Sequence, residues 1–84
     1  MGWNFRVLVT ETKSPNGEID TWYAIHEVYY DKNKTPDAAT KRSVDISGES
    51  KKDLKWRLKE MKKCLSKPPL WGDDRFPEEY KKEI

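Results

Sequence analysis

Residues 21–30 read Thr21-Trp22-Tyr23-Ala24-Ile25-His26-Glu27-Val28-Tyr29-Tyr30, a run rich in aromatic and β-branched side chains. The run contains neither Gly nor Pro, and this composition is typical of a β-strand. Upstream, apolar and polar residues alternate from Trp3 to Thr12 with the period of two that indicates a second strand. Asn16-Gly17 lies between the two segments and favours a two-residue type I′ turn. The sequence therefore predicts a β-hairpin.

A two-residue turn at Asn16-Gly17 predicts a register in which paired residue numbers sum to 33. Arg6 then lies opposite Glu27 and Leu8 opposite Ile25, so that one face carries an ion pair beside an apolar pair. The other face is mostly apolar and is predicted to be the core face. Its members are Trp3, Phe5, Val7 and Val9, paired with Tyr30, Val28, His26 and Ala24.

Two further elements are predicted downstream of the hairpin. Asp31 to Asp37 has the composition of a turn, and Val44 and Ile46 alternate with polar residues as in a short third strand. A helix is predicted from about Lys51 to about Leu65. Its N-cap would be Ser50, with Asp53 completing an imperfect capping box.

The predicted helix is amphipathic and ends at a pair of prolines. Pro68-Pro69 stops it, because proline donates no backbone hydrogen bond and restricts the residue before it. One apolar stripe at helical spacing is expected to pack on the sheet: Leu54, Leu58, Met61 and Leu65.

These elements predict an α+β fold with one domain over residues 1–70. It would consist of an antiparallel sheet of about three strands with one long helix on one face. With 84 residues the chain supports a single hydrophobic core. Residues 71–84 are predicted to be an appendage, an extended tail that packs Trp71 and Phe76 on this core and could form a short helix beginning at Pro77.

Charge is distributed unevenly along the chain. The net charge is only +2, but residues 51–67 carry eight Lys and Arg against two Asp and Glu. The positive charge is therefore concentrated on the predicted helix. Cys64 is the only cysteine, which excludes an internal disulfide and a four-thiolate zinc site. With no long apolar run either, we expect a cytoplasmic protein with no membrane partner.

Several sequence blocks resemble those of a group of short bacterial hypothetical proteins. The blocks are Asn4-Phe5-Arg6-Val7, Tyr23 to Asp31, and Ser47-Gly48-Glu49-Ser50 followed by Leu54. The resemblance covers roughly residues 3–70 and implies no biochemical function. In strand order alone, the chain also resembles HicB-type antitoxins, in which a helix follows a sheet.

Two residues have side chains that could carry chemistry. His26 is the only histidine, and it would act as a general base or metal ligand in an enzyme. No second histidine or paired carboxylate accompanies it, so we interpret it as structural. Cys64 lies near the end of the predicted helix, where the helix dipole opposes a thiolate, and we interpret it as packed and inert. We expect no catalytic residues, metal or cofactor. An enzyme centred on His26 is the remote alternative.

Two surfaces are candidates for binding. The first is the sheet face predicted to be open, with Leu8, Tyr23, Ile25 and Tyr29 around Arg6 and Glu27. A mixed apolar patch of this kind is typical of a protein interface. Our main hypothesis is a small non-enzymatic binding or regulatory protein that contacts a protein partner through this sheet face or through the basic face of the predicted helix. A homodimer through the sheet is included in it.

The second surface is the outer face of the predicted helix. An exposed Trp56 would lie among Lys52, Lys55, Lys59 and Lys63, a combination suited to phosphates and stacked bases or to an acidic protein. It makes a nucleic-acid-binding accessory protein the alternative hypothesis. The C-terminal tail could cover either this surface or the sheet face.

Overall fold

The computed structural model describes residues 2–81 and has an α+β architecture. Four strands form one sheet: β1 (Gly2–Lys13), β2 (Ile19–Tyr30), β3 (Pro36–Ala39) and β4 (Leu70–Trp71). The helix α1 (Lys51–Lys63) continues into a 3₁₀ turn over Cys64–Ser66. The α+β class is confirmed.

The sheet differs from the predicted one in strand number and direction. Its order is β3-β2-β1-β4, with β1, β2 and β3 antiparallel and β4 parallel to β1. The prediction of about three antiparallel strands was therefore wrong, since the sheet has four strands and is mixed. The fourth strand follows directly from Pro68-Pro69, which keep the chain extended after the helix ends.

The hairpin register is shifted by one residue from the predicted one. Paired numbers in β1 and β2 sum to 32, so Arg6 lies opposite His26 and Phe5 opposite Glu27. Arg6 and Glu27 consequently lie on opposite faces of the sheet, and the predicted pair does not form.

The turn explains the shift. Ser14 N donates to Glu18 O at 2.8 Å, and Gly17 N donates to Ser14 O at 2.9 Å, with Gly17 at φ 89°. This is a three-residue loop with a left-handed glycine, and Pro15 supplies the φ that its first turn position favours. A two-residue loop at Asn16-Gly17 leaves Pro15 out of the turn.

The third strand lies earlier in the chain than predicted. Asp31 Oδ1 accepts hydrogen bonds from Asn33 N and Thr35 N at 2.8 and 3.0 Å, which closes a tight turn right after β2. The chain therefore returns at Pro36 and pairs with the end of β2. Val44 and Ile46 belong to no strand, although Val44 N donates to Ile25 O at 2.9 Å.

The helix begins as predicted but packs through a different stripe. Ser50 caps it by accepting a hydrogen bond from Asp53 N at 3.1 Å. Met61 and Cys64 are buried against Phe5, with Val7, Ile25 and Val44 around them. Leu58 and Leu65, placed in the core by the predicted stripe, are 45% and 67% exposed. The 3₁₀ turn has three residues per turn, so it rotates Leu65 away from the stripe and brings Cys64 inward.

The C-terminal segment packs on both faces of the sheet. Phe76 contacts the buried cluster of Leu8, Val28 and Leu70, on the face opposite α1. On the helix face, the Tyr80 ring lies edge to face against Trp71 and Tyr23, at centroid distances of 4.8 and 5.9 Å.

The backbone of this segment is also tied to the sheet. Gly72 N donates to Val9 O at 2.8 Å, so close that an added Cβ at Gly72 would lie 3.0 Å from the Cβ of Leu8. The short helix predicted from Pro77 does not form within residues 77–81, which are turn, bridge and coil. Residues 82–84 of the predicted appendage lie outside the described residues.

Candidate functional site

The observed register divides the predicted sheet surface between two faces. Tyr23, Ile25, Glu27 and Tyr29 lie on the face that carries α1, whereas Arg6 and Leu8 lie on the other. The six residues therefore form no single patch. On the helix face, Tyr29 donates a hydrogen bond to Glu27 at 3.2 Å. Partial burial and the neighbouring Glu27 carboxylate raise the pKa of Tyr29.

The face opposite α1 is largely covered. Leu8 is 3% exposed beneath the C-terminal segment. Arg6 donates from Nη1 to the Tyr30 hydroxyl at 2.9 Å and from Nη2 to Pro68 O at 2.6 Å. Arg6 thus holds the chain where it crosses from the helix to β4, which is a structural role.

An apolar groove remains open on the helix face, beside the C-terminal end of α1. It has a volume of about 330 Å³ and is lined by Val7, Tyr23, Ala24, Ile25, Leu65, Lys67 and Pro69. Tyr23 is 51% and Leu65 67% exposed despite their contacts there. Two of the predicted interface residues, Tyr23 and Ile25, are brought together in this groove.

The outer edge of β2 next to this groove is unpaired. β3 pairs only with Val28, Tyr29 and Tyr30, while β1 pairs with the other edge over the full length of β2. From Ile19 to Ala24, no strand within residues 2–81 lies beside the outer edge. The hairpin therefore presents free backbone donors and acceptors, with Trp22 71% exposed at the same edge.

A second groove, of about 390 Å³, lies between α1 and the start of β1. Its lining is Trp3, Asn4, Phe5, Trp56, Glu60, Lys63, Cys64 and Lys67. Trp56 is 49% exposed, and the aromatic residues of the tail pack elsewhere. Of the predicted nucleic-acid residues, Trp56 and Lys63 line this groove, while Lys52, Lys55 and Lys59 are exposed on the same helix.

His26 and Cys64 are placed apart from each other on different faces. His26 Nδ1 lies 3.0 Å from Thr40 O, at a groove of about 400 Å³ that also contacts Asp37, Asp73 and Phe76. Cys64 is 1% exposed, and burial raises the pKa of its thiol although Arg6 and Lys67 act in the opposite direction. Between residues 2 and 81, no three His, Cys, Asp or Glu side chains are grouped to hold a metal.

Comparison with protein-family models, curated proteins and solved structures returned no match. The resemblance to short bacterial proteins and to HicB-type antitoxins therefore stays a prediction. Among residues 2–81, no helix has the length and apolar character needed to cross a membrane.

Sequence reasoning missed two features of these surfaces. The sequence predicts Trp3 on the core face, yet it is 48% exposed and faces the same groove as Trp56. Only the packing of α1 beside β1 places both indoles in the lining of one groove. The free edge of β2 was also missed. The sequence signal for it was the short connection from Tyr30 to Pro36, because so few residues allow β3 to pair only with the C-terminal end of β2.

Proposed function

We propose that this chain is a small non-enzymatic protein-binding module that receives an extended segment of a partner protein along the outer edge of β2. The observation that carries the proposal is the unpaired edge from Ile19 to Ala24, directly beside an open apolar groove. Strand addition of this kind uses backbone hydrogen bonds for affinity and pockets for side chains for specificity.

The backbone alternation of β2 defines which groups an added strand would meet. Ile25 O and Glu27 O accept hydrogen bonds from Val44 N and Thr40 N at 2.9 and 3.0 Å, so odd-numbered residues point their backbone groups outward. By the same period of two, Tyr23 and Thr21 direct their N–H and C=O groups to the free edge. A partner strand would continue this line of hydrogen bonds toward the hairpin tip.

The apolar groove specifies the side chain that such a partner brings. Its apolar lining includes Tyr23, the exposed Leu65 and Pro69, together with Val7 and Ile25 of the sheet. An aliphatic or aromatic side chain on the partner strand would bury this surface at about 25 cal/mol per Å². Exposed apolar surface next to an unpaired edge is typical of a binding site rather than of a free monomer surface.

The test is a selection from a displayed library of random linear peptides against the full-length protein. Each enriched peptide is synthesised in two N-methylated forms. One form is methylated at the odd-numbered amides of the peptide and the other at the even-numbered amides. In an added strand only one of these two sets of amides faces β2. The form methylated at that set loses hydrogen bonds worth about 0.5–1.5 kcal/mol each, so it should bind at least about tenfold more weakly than the other form. Equal binding of both forms would contradict strand addition.

Two substitutions test the groove. Leu65→Asp should weaken the binding of the same peptides, because it places a charge in the apolar groove. Leu58→Asp is the matched control, since Leu58 is exposed on α1 and does not line this groove. Sedimentation velocity tests whether the edge binds a second copy of this chain instead of a partner protein. A dimer that becomes a monomer in the Thr21→Pro variant would mean that it does.

A further inference from the structure

We infer that the groove between α1 and β1 binds single-stranded nucleic acid, with bases stacked on Trp3 and Trp56 and phosphates held by lysines of the helix. This surface is separate from the edge of β2, so the inference is independent of the protein-binding proposal.

The two indoles form the walls that a base would contact. Trp3 and Trp56 are 48% and 49% exposed and line the same groove. The ring of Trp3 packs edge to face against Phe5, with centroids 5.2 Å apart and an interplanar angle of 88°. Phe5 is itself 4% exposed in the core, so it fixes the orientation of the Trp3 ring while leaving much of that ring accessible. Preoriented aromatic rings are the platforms on which single-stranded bases stack.

Positive charge surrounds the indoles. Lys63 and Lys67 line the groove, and Lys52, Lys55 and Lys59 are exposed along the same helix. Only Glu60 opposes them in the lining, 2.8 Å from Lys63 Nζ. The segment from 51 to 67 has a net charge of +6, in a chain whose total is +2. This charge is complementary to a phosphate backbone, which contributes much of the affinity of nucleic-acid-binding proteins.

The combination favours a single strand over other anionic partners. An acidic peptide would use the lysines but has no planar face for two tryptophans. A duplex would also contact the lysines, but its bases are stacked on each other, so their faces are not accessible to the tryptophan rings.

The experiment titrates the full-length protein into fluorescein-labelled single strands of mixed sequence, about ten nucleotides long to match usual site sizes. DNA and RNA strands are used in parallel, with the corresponding duplexes. Trp3→Ala and Trp56→Ala should each weaken single-strand binding about 5- to 150-fold, the range for loss of one stacked base. Trp22→Ala is the matched control, because Trp22 is 71% exposed but lies outside the groove.

Salt dependence separates the phosphate contacts from stacking. Replacing both Lys63 and Lys67 by Gln should reduce the slope of log affinity against log salt by about 0.7 for each phosphate that the variant no longer binds. The matched control replaces Lys32 and Lys34, exposed between β2 and β3. Circular dichroism confirms that each variant is folded, and Trp3→Phe, which keeps a ring, should recover part of the affinity that Trp3→Ala removes.

Three outcomes would overturn the inference. The first is that neither DNA nor RNA single strands bind at low salt. The second is that polyglutamate displaces the strands as well as an unlabelled oligonucleotide does, which would assign the groove to acidic peptides. The third is that the Trp3→Ala and Trp56→Ala variants bind single strands as tightly as Trp22→Ala does. Binding would then depend only on non-specific attraction between lysines and phosphates.

Discussion

The guanidinium carbon of Arg75 lies 3.2 Å from the centroid of the Trp71 ring. Arg75 also donates hydrogen bonds to both carboxylate oxygens of Asp73, and its Nη2 lies 3.3 Å from Glu11 Oε1 on β1. A cation above an indole face and between two carboxylates links the C-terminal segment to the sheet.

This contact predicts an acid-sensitive step in stability. Hydrogen bonds from the Arg75 side chain hold the pKa of Asp73 below its usual value of 3.8. A carboxyl group with a lowered pKa in the folded state stabilises the protein above its unfolded pKa, and this contribution is lost as the pH falls through the folded pKa. Asp73→Asn should therefore lower Tm at neutral pH, and the difference from the natural chain should shrink below about pH 4.

Thermal unfolding of both chains, measured at intervals from about pH 2 to about pH 7, checks this effect across the range in which Asp73 titrates. Asp74→Asn is the control, because Asp74 is an exposed neighbour of the same charge. A difference in Tm that is independent of pH would contradict the role of the ionised Asp73.

The packing of Phe76 predicts that the C-terminal segment stabilises the sheet. Phe76→Ala removes a half-buried ring from the cluster of Leu8, Val28 and Leu70. It should cost about 1–3 kcal/mol of unfolding free energy, and each kcal/mol lowers the Tm of a chain this size by about 4–8 °C. Trp22→Ala, at a 71% exposed position, should change stability by less than about 0.5 kcal/mol. Equal melting of the two variants would mean that Phe76 is not packed.

The hairpin register predicts specific contacts between backbone protons. Ser14 N donates to Glu18 O at the turn, so the even-numbered pairs are the hydrogen-bonded pairs of the ladder. The odd-numbered pairs therefore bring their Cα atoms closest. Nuclear Overhauser effects between Hα atoms are therefore expected for Val7 with Ile25 and for Phe5 with Glu27. A strong effect between Leu8 and Ile25 instead would restore the register of a two-residue turn.

The burial of Cys64 predicts slow thiol chemistry. Its side chain is 1% exposed against Phe5 and Met61, and burial raises the pKa of the thiol. Iodoacetamide at neutral pH should react on the order of a thousandfold more slowly with the native chain than with the chain in denaturant, since reaction requires opening of the core. Rapid alkylation of the native protein would contradict this packing and would reopen the assignment of Cys64 as inert.

Local patterns were sufficient to predict three elements of the fold. The alternation in β1, the aromatic run of β2 and the Ser50 cap of α1 each depend on residues close in sequence, and all three form as predicted. The concentration of positive charge on the helix is likewise a property of the sequence alone.

The geometry of one turn and the tertiary structure together decided which surfaces these elements present. One loop residue, Pro15, shifts the register by one, and with a side-chain period of two that moves Arg6 to the opposite face from Glu27. The pairing of Leu70 with Leu8, and the groove lined by both Trp3 and Trp56, involve residues far apart in the chain. Such contacts depend on how the helix and tail close over the sheet, and no local pattern carries that information.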